Sequence, residues 1–303
     1  MEYNDDDIFL FGIDGGPMLD LYEALEALKS TGTMGLAGAR LRISQSAVSK
    51  RIAALEAATS RSLIERHGRR VVLTPDAEQL IARISPLLAT IRSELTQKSQ
   101  QAGGLLEFGV SESVLASWGA ELLFQAEAQI VPARLSLHAH RGPLLTQLVG
   151  SGRYLAALMA GDLDSGSQLA SVELGREPMV VLAKDQRRTN ELISIEPQAA
   201  TWQAVRRRAI KAGLVPDRYV ESYFAAASLA AAGFGRALVP AGVAMRVIPA
   251  RKSVTARPTG ISRPICLIGR KQVLARQELA ALAEKITQQM QHLNWQQNIK
   301  KKS

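Results

Sequence analysis

Gln45, Ser46, Ser49 and Lys50 combine short hydrogen-bonding side chains with one cation inside the run SQSAVSKRIAALE. Amides and hydroxyls pair with base edges, and an ammonium neutralises phosphate, so this combination suits the surface of a nucleic acid. Farther along, Arg66, His67, Arg69 and Arg70 crowd around Gly68. That density of charge suits a phosphate backbone, whose contacts are electrostatic and independent of sequence.

These groups need elements to hold them. Ser44 is a good helix N-cap, because its hydroxyl can accept a bond from an otherwise orphaned backbone N–H. Val48, Ile52 and Leu55 then recur at helical spacing and point inward, leaving Ser44, Gln45, Ser46, Ser49 and Lys50 on the leading or opposite surface. The stretch 36–74 therefore reads as a short helix, a turn, a second helix and a basic hairpin. A first helix is expected over 20–30, with Leu21, Ala24, Leu25 and Leu28 on one face and Gly32 at its stop. Gly38, inside the second helix, weakens the expectation for it, since an interior glycine costs about 1 kcal/mol relative to alanine. A long helix is expected over 77–95. Its apolar positions, Ala77, Ile81, Ile84, Leu88, Ile91 and Leu95, alternate by four and three, a seam that wants a partner helix, although packing on its own domain is the alternative. Pro86 interrupts that ladder and predicts a bend.

SQSAVSKRIAALE followed by LIERHGRRVVLT resembles the DNA-binding signature of LysR-type transcriptional regulators, S-Q-x-A-V-S, I-x-x-L-E, L-F-x-R, a basic turn and L-T. The resemblance implies a winged helix-turn-helix, with Arg66, Arg69 and Arg70 on phosphate and Gln45, Ser46, Ser49 and Lys50 in the major groove of double-stranded DNA. It also implies a dimer joined through the linker helix and a tetramer overall. The chain departs from the pattern at Gly35, where a capping Thr or Ser is frequent, at Ser60 for the usual Gly, Ile64 for Phe and Asp76-Ala77 for Ala-Gly. Residues 1–17 fall outside the pattern. They read either as an accessory tail or as the product of a misassigned start, the second being favoured.

The net charge of +9 agrees with a polyanionic partner without choosing among DNA, RNA and an anionic membrane. The sequence shows no apolar run long enough to span a bilayer, and its early residues are acidic, the wrong sign for a secretory signal, so a cytoplasmic protein with no membrane partner is expected. Cys266 is the single cysteine. It cannot pair within the chain and reads as a small apolar strand residue, which disfavours the cysteine-pair peroxide sensing of one branch of the family. His67, His138 and His292 lack metal-ligand spacing. No nucleophile elbow, P-loop or H-E-x-x-H is present, and Gly233-Phe234-Gly235 is a lone glycine turn. Neither catalysis nor a cofactor or metal is expected.

After the polar segment 97–104, apolar alternation and helical periodicity take turns. Strands are expected over 105–110, 134–139, 154–160, 172–183, 218–221 and 262–269, and helices over 113–129, 144–150, 201–212, 223–232 and 275–293. This order resembles the family's two-lobed effector domain, similar to periplasmic binding proteins. Against that family, 184–202 is short by a strand or helix, and Leu155 stands where an Asp is frequent. In such a fold a ligand lies between lobes at the carboxyl ends of strands. Ser111 and Ser113 would meet a carboxylate or other anion there, or simply cap a helix. His140 and Arg141 would add charge or lie on a solvated turn. Ser222 and Tyr223 occupy the equivalent turn of the other lobe, where an aromatic is more often core.

The expected fold is α/β: a winged helix-turn-helix (18–75), a dimerising linker helix (76–98) and a two-lobed effector-binding and oligomerisation domain (99–303). The expected function is sequence-specific transcriptional regulation, modulated by a small anionic or aromatic effector. The alternatives are a regulator whose C-terminal domain serves only assembly or a protein partner, and a soluble binding or enzymatic module.

Overall fold

The computed structural model describes residues 18–67, 70–100, 105–128, 134–163, 169–248, 253–293 and 295. The chain divides into two compact units, Met1–Leu87 and Leu88–Ser303. The seam positions Ile91 and Leu95, like the tail 1–17, lie outside the residues whose side chains are described.

The first unit holds α1 (Met18–Thr31), α2 (Met34–Leu41), α3 (Gln45–Thr59), the antiparallel hairpin β1 (Ile64–His67) and β2 (Arg70–Leu73), and the start of α4 (Pro75–Gln100). Its core joins Ala24 and Leu28 of α1, Ala37 of α2, and Val48 and Ile52 of α3. Each large apolar side chain removed from water there contributes about 1.5–3 kcal/mol. The second helix is better specified than its glycines suggest. Thr33 caps it by accepting from Leu36 N at 3.2 Å, so Gly35 is not the cap. Gly38 faces the turn, where a Cβ would sit 2.7 Å from Ile43 O, so the close approach of α2 to α3 requires glycine. Ser60 ends α3 at φ +50, a left-handed cap of the kind glycine adopts without strain.

Helix α4 begins with Pro75 at its first position and Thr74 accepting from Ala77 N at 3.1 Å. It continues past Pro86 as one element. Ala77 and Ile81, read as the start of an interhelical seam, are 0% and 5% exposed within their own unit. Tyr22 explains part of this, donating to Ile81 O at 3.2 Å and meeting Ser85 Oγ at 2.6 Å.

The second unit is built on an eight-stranded sheet of order β4-β3-β5-β10-β6-β9-β7-β8. Its first lobe carries β3 (Leu105–Ser111), α5 (Glu112–Val114), a π-helical turn (Leu115–Gly119), α6 (Ala120–Glu127), β4 (Arg134–His140), α7 (Gly142–Gly150) and β5 (Ala156–Ala160). The long strand β6 (Ala170–Lys184) then crosses to the second lobe, made of β7 (Leu192–Ile195), α8 (Ala200–Lys211), β8 (Arg218–Val220), α9 (Tyr223–Ala232), β9 (Arg236–Pro240) and α10 (Ala241–Val247). The equally long β10 (Val254–Gly269) returns to the first lobe, which α11 (Lys271–Leu274) and α12 (Gln277–His292) complete. β3, β4 and β5 pair in parallel, as do β7, β8 and β9, whereas β6 and β10 pair antiparallel along their length.

Several elements correct the sequence reading. The short stretch 184–202 does contain a strand, β7, fully buried. Arg236–Pro240, for which no element was expected, forms a sheet strand, β9, directly after the glycine turn. β10 starts at Val254, well before the expected 262, because pairing with β6 resumes on both sides of an irregularity between Pro258 and Ser262. The helix expected over 275–293 is α12, and a separate short helix that was not expected, α11, precedes it, with Arg276 in extended conformation between them.

Candidate nucleic-acid interface and ligand cleft

α3 buries one face and offers the other. Val48 and Ile52 are 0% exposed and Leu55 2%, while Gln45, Ser46 and Lys50 are exposed and Ser49 is half-buried. Ser44 acts as the cap, accepting from Ala47 N at 3.1 Å, and its hydroxyl also meets Ser46 Oγ at 2.9 Å. α3 is anchored by Arg51 to Asp20 of α1 at 2.7 Å. Glu56 Oε1 accepts from Leu63 N at 2.7 Å and Ile64 N at 3.2 Å, so α3 also positions the hairpin that follows. The expected phosphate contacts Arg66, Arg69 and Arg70 have side chains outside the described residues.

In the second unit, the carboxyl ends of β3, β4 and β5 meet that of β7 and the turn after β8 around a cavity of about 610 Å³. Ser111, Ser113, His140, Arg141 and Tyr223 line it, as do Glu112, Glu196 and Thr201, which the sequence reading did not single out. Ser222 is not among its walls; it caps α9 by accepting from Phe224 N and donates to Glu112 Oε1 at 3.1 Å, joining the two lobes. Thr201 joins them too, donating to Ala160 O at 2.8 Å. Arg141 spans the mouth to Glu196 at 2.9 Å, with Glu221 at 3.9 Å.

The serine hydroxyls are acceptors inside the protein. Ser111 Oγ accepts from Ala160 N at 2.9 Å and Ser113 Oγ from Arg263 Nη1 at 2.9 Å. Each keeps its own proton to donate, so the cleft offers two hydroxyl donors to an oxygen. His140 contacts Tyr154 Oη at 2.8 Å, and its pKa lies below the ordinary imidazole value because of burial first, then of His138 and Arg153. It is therefore a neutral wall near pH 7.

Beneath the cleft lies an ion pair. Arg263 of β10 and Glu177 of β6 are both 0% exposed. Arg263 donates from Nε at 3.0 Å and from Nη2 at 2.7 Å to Glu177 Oε2, while Glu177 Oε1 accepts from Gly242 N at 2.9 Å. A Cβ at Gly242 would come within 2.8 Å of that carboxylate, so the approach of α10 depends on glycine. The guanidinium also lies 5.6 Å from the Tyr223 ring centroid. Tyr223 Oη and Trp118 Nε1 are buried without a hydrogen-bond partner; burial raises the Tyr223 pKa, keeping the phenol protonated. The sequence signal for the pair was a charged residue within each of two apolar strands, GREPMVV and ISRPICL.

Cys266 is buried in β10, and burial pushes its thiol pKa up. Among the described residues no group of His, Cys, Asp and Glu is placed to hold a metal ion, and no helix is long and apolar enough to cross a membrane.

Two family profiles match the chain: a bacterial regulatory helix-turn-helix protein of the lysR family over residues 19–78, and a LysR substrate binding domain over 99–291. An uncharacterized HTH-type transcriptional regulator of Vibrio cholerae is 33% identical over 82% of this chain and 88% of its own length. A probable hydrogen peroxide-inducible genes activator of Mycobacterium xenopi is 30% identical over 49% of this chain and 76% of its own. Among solved structures, the LysR family regulator CbnR matches with a TM-score of 0.58 at 20% identity, covering 89% of this chain and 98% of that one. Full-length CbnR complexed with its target DNA matches at 0.55 and 21%. With both profiles in chain order and the two units folded as those profiles require, the chain belongs to the LysR family of bacterial helix-turn-helix transcriptional regulators.

Proposed function

We propose that the leading edge of α3 reads DNA, that the hairpin grips its backbone, and that the interlobe cleft binds the effector. The observation that carries the first part is the division of α3: Val48 and Ile52 are sealed at 0% exposure while Gln45, Ser46 and Lys50 stand in solvent. Gln45 and Ser46 then contact base edges, Ser49 and Lys50 extend the contact, and Arg66, Arg69 and Arg70 meet phosphates. The functional segments are a head over 18–75, a dimerising helix over 76–98 and an effector and assembly domain over 99–303. This reading is non-catalytic and places the protein in the cytoplasm.

The effector proposed for the cleft carries an oxygen acceptor, a carboxylate or carbonyl, because Ser111 and Ser113 each retain a hydroxyl proton after accepting within the protein. Arg141 and Tyr223 line the same space. Such a ligand changes promoter occupancy only by binding two quaternary states unequally.

The test is binding to the DNA upstream of the chain's own coding region at two salt concentrations with non-specific competitor. Competitor-resistant binding that weakens with salt is expected. Gln45→Ala changes base preference, and Arg69→Gln weakens all sequences alike and flattens the salt slope by about one unit. No binding at low salt overturns the role of α3. A thermal-shift screen of carboxylates and aromatics separates a liganded cleft from a domain serving assembly alone, since a ligand stabilises the state it binds.

A further inference from the structure

Away from the interlobe cleft, the second lobe carries another cavity, of about 310 Å³. Four cations line it, Lys184, Arg187, Arg236 and Arg257, against a single carboxylate, Asp185. None of the four forms an ion pair among the described residues. The bonds their guanidiniums do make go to neutral oxygens: Arg236 Nε to Asn190 O at 2.9 Å, Arg187 Nε to Asn190 Oδ1 at 2.9 Å, and Arg187 Nη1 to Lys184 O at 3.3 Å. Elsewhere in the same unit Arg141, Arg176, Arg218 and Arg263 each meet a glutamate.

The sheet register explains how the cations converge. Arg236 of β9 and Thr255 of β10 both lie opposite Ala183 of β6, and Arg257 lies opposite Val181. Cross-strand partners share a face, as do residues two apart on one strand, so Arg236, Thr255 and Arg257 rise from the same side. Ala183 and Ala212, both small, line the cavity as well. Strands β9 and β10 flank β6, so the two arginine-bearing backbones stand roughly 10 Å apart. That span suits a molecule with two anionic groups better than a single small ion.

Like charges gathered in a concavity repel one another, and its low-dielectric walls focus their field. A matching anion relieves this, and the planar guanidinium fork fits phosphoryl and carboxylate oxygens alike. We propose that this cavity is a second ligand site, separate from the interlobe cleft, for a small polyanion bearing phosphoryl or carboxylate groups.

The experiment is calorimetric titration of the full chain with pyrophosphate, and separately with citrate, at constant ionic strength. Saturable binding of at least one probe is expected, and the stronger of the two identifies the favoured anionic group. The double variant R236Q/R257Q weakens it by at least about tenfold, as loss of charge-assisted bonds predicts. R141Q, in the other cleft, leaves it unchanged. If R236Q/R257Q fails to fold, K184Q/R187Q takes its place with the same expectation. Absence of saturation with both probes, or undiminished affinity in a folded double variant, overturns the proposal. So does a flatter salt dependence of DNA binding in R236Q/R257Q, which would assign these cations to the DNA backbone instead.

Discussion

Glu177→Gln isolates the buried ion pair beneath the cleft. Both partners are 0% exposed, so water cannot replace the carboxylate lost from Arg263. The glutamine keeps an acceptor for Gly242 N, so the change removes charge with little change of shape. An uncompensated guanidinium in such a site costs about 3–5 kcal/mol. For a unit of this size that lowers the melting temperature by roughly 6–20 °C, at about 2–4 °C per kcal/mol. The double variant Glu177→Gln with Arg263→Met removes the stranded charge and recovers most of the loss, although Ser113 Oγ then lacks its donor. The assay is urea unfolding followed by tryptophan fluorescence. Trp118, Trp202 and Trp295 all belong to the C-terminal unit, so the signal reports on that unit alone. A Glu177→Gln loss below about 1 kcal/mol refutes the reasoning, because breaking a dry pair must cost more. So does a double variant as unstable as the sum of the singles.

Other substitutions test the remaining geometry. Gly38→Ala raises helix propensity by about 1 kcal/mol but puts a Cβ 2.7 Å from Ile43 O; hydrogen exchange of the head should show net destabilisation of roughly 1–3 kcal/mol, and a gain would contradict the close approach. Ser60→Gly relieves a left-handed residue at φ +50 and should slow the same exchange by about 1 kcal/mol in stability. Tyr223→Phe removes a buried hydroxyl with no partner, so the fluorescence midpoint should hold or rise, by up to about 1–3 kcal/mol; a fall would reveal a missed bond. His140 has its folded pKa below the ordinary 6.5. The unfolded chain therefore takes up the proton first, and this stability is full above about pH 6.5 and lost as pH falls through the folded value. The midpoint should drop between about pH 7.5 and 5.5, less steeply in His140→Gln.

The head was legible because its signals are local. Ser44 caps, Val48, Ile52 and Leu55 keep a helical period, and the hairpin follows directly. The cap of α2 was not legible because Gly35 stands where a capping Thr or Ser is frequent, while Thr33 supplies the cap two residues earlier. In the sheet domain, β7 and β9 were missed because each is short and flanked by glycine or charge, with pairing partners distant in sequence. The first half of β10 reads as a loop, TARPTG, and only its partner β6 makes it a strand. The π-helical turn has no sequence signature, yet it frees Ser117 O to accept from Arg246 of the other lobe at 2.8 and 2.5 Å. Ser111, Ser113, Arg141 and Tyr223 converge on one cavity as a strand-end argument suggested. Glu112 and Thr201 stand in the first turns of α5 and α8 and Glu196 just after β7, positions without a signature of their own, and three-dimensional closure alone brings them there.

The return of β10 to the first lobe bears on how the chain is made. β5 completes its antiparallel ladder with Ile265–Gly269, residues synthesised only after the whole second lobe has emerged. At about 5–20 residues per second, roughly 5–20 s pass on the ribosome during which the β5 edge has no neighbour. The head, built from consecutive segments, has no such wait. A nascent chain therefore carries a finished head while the sheet domain is still an open edge. For that interval this edge is the stretch a chaperone must shield and an unwanted strand can capture.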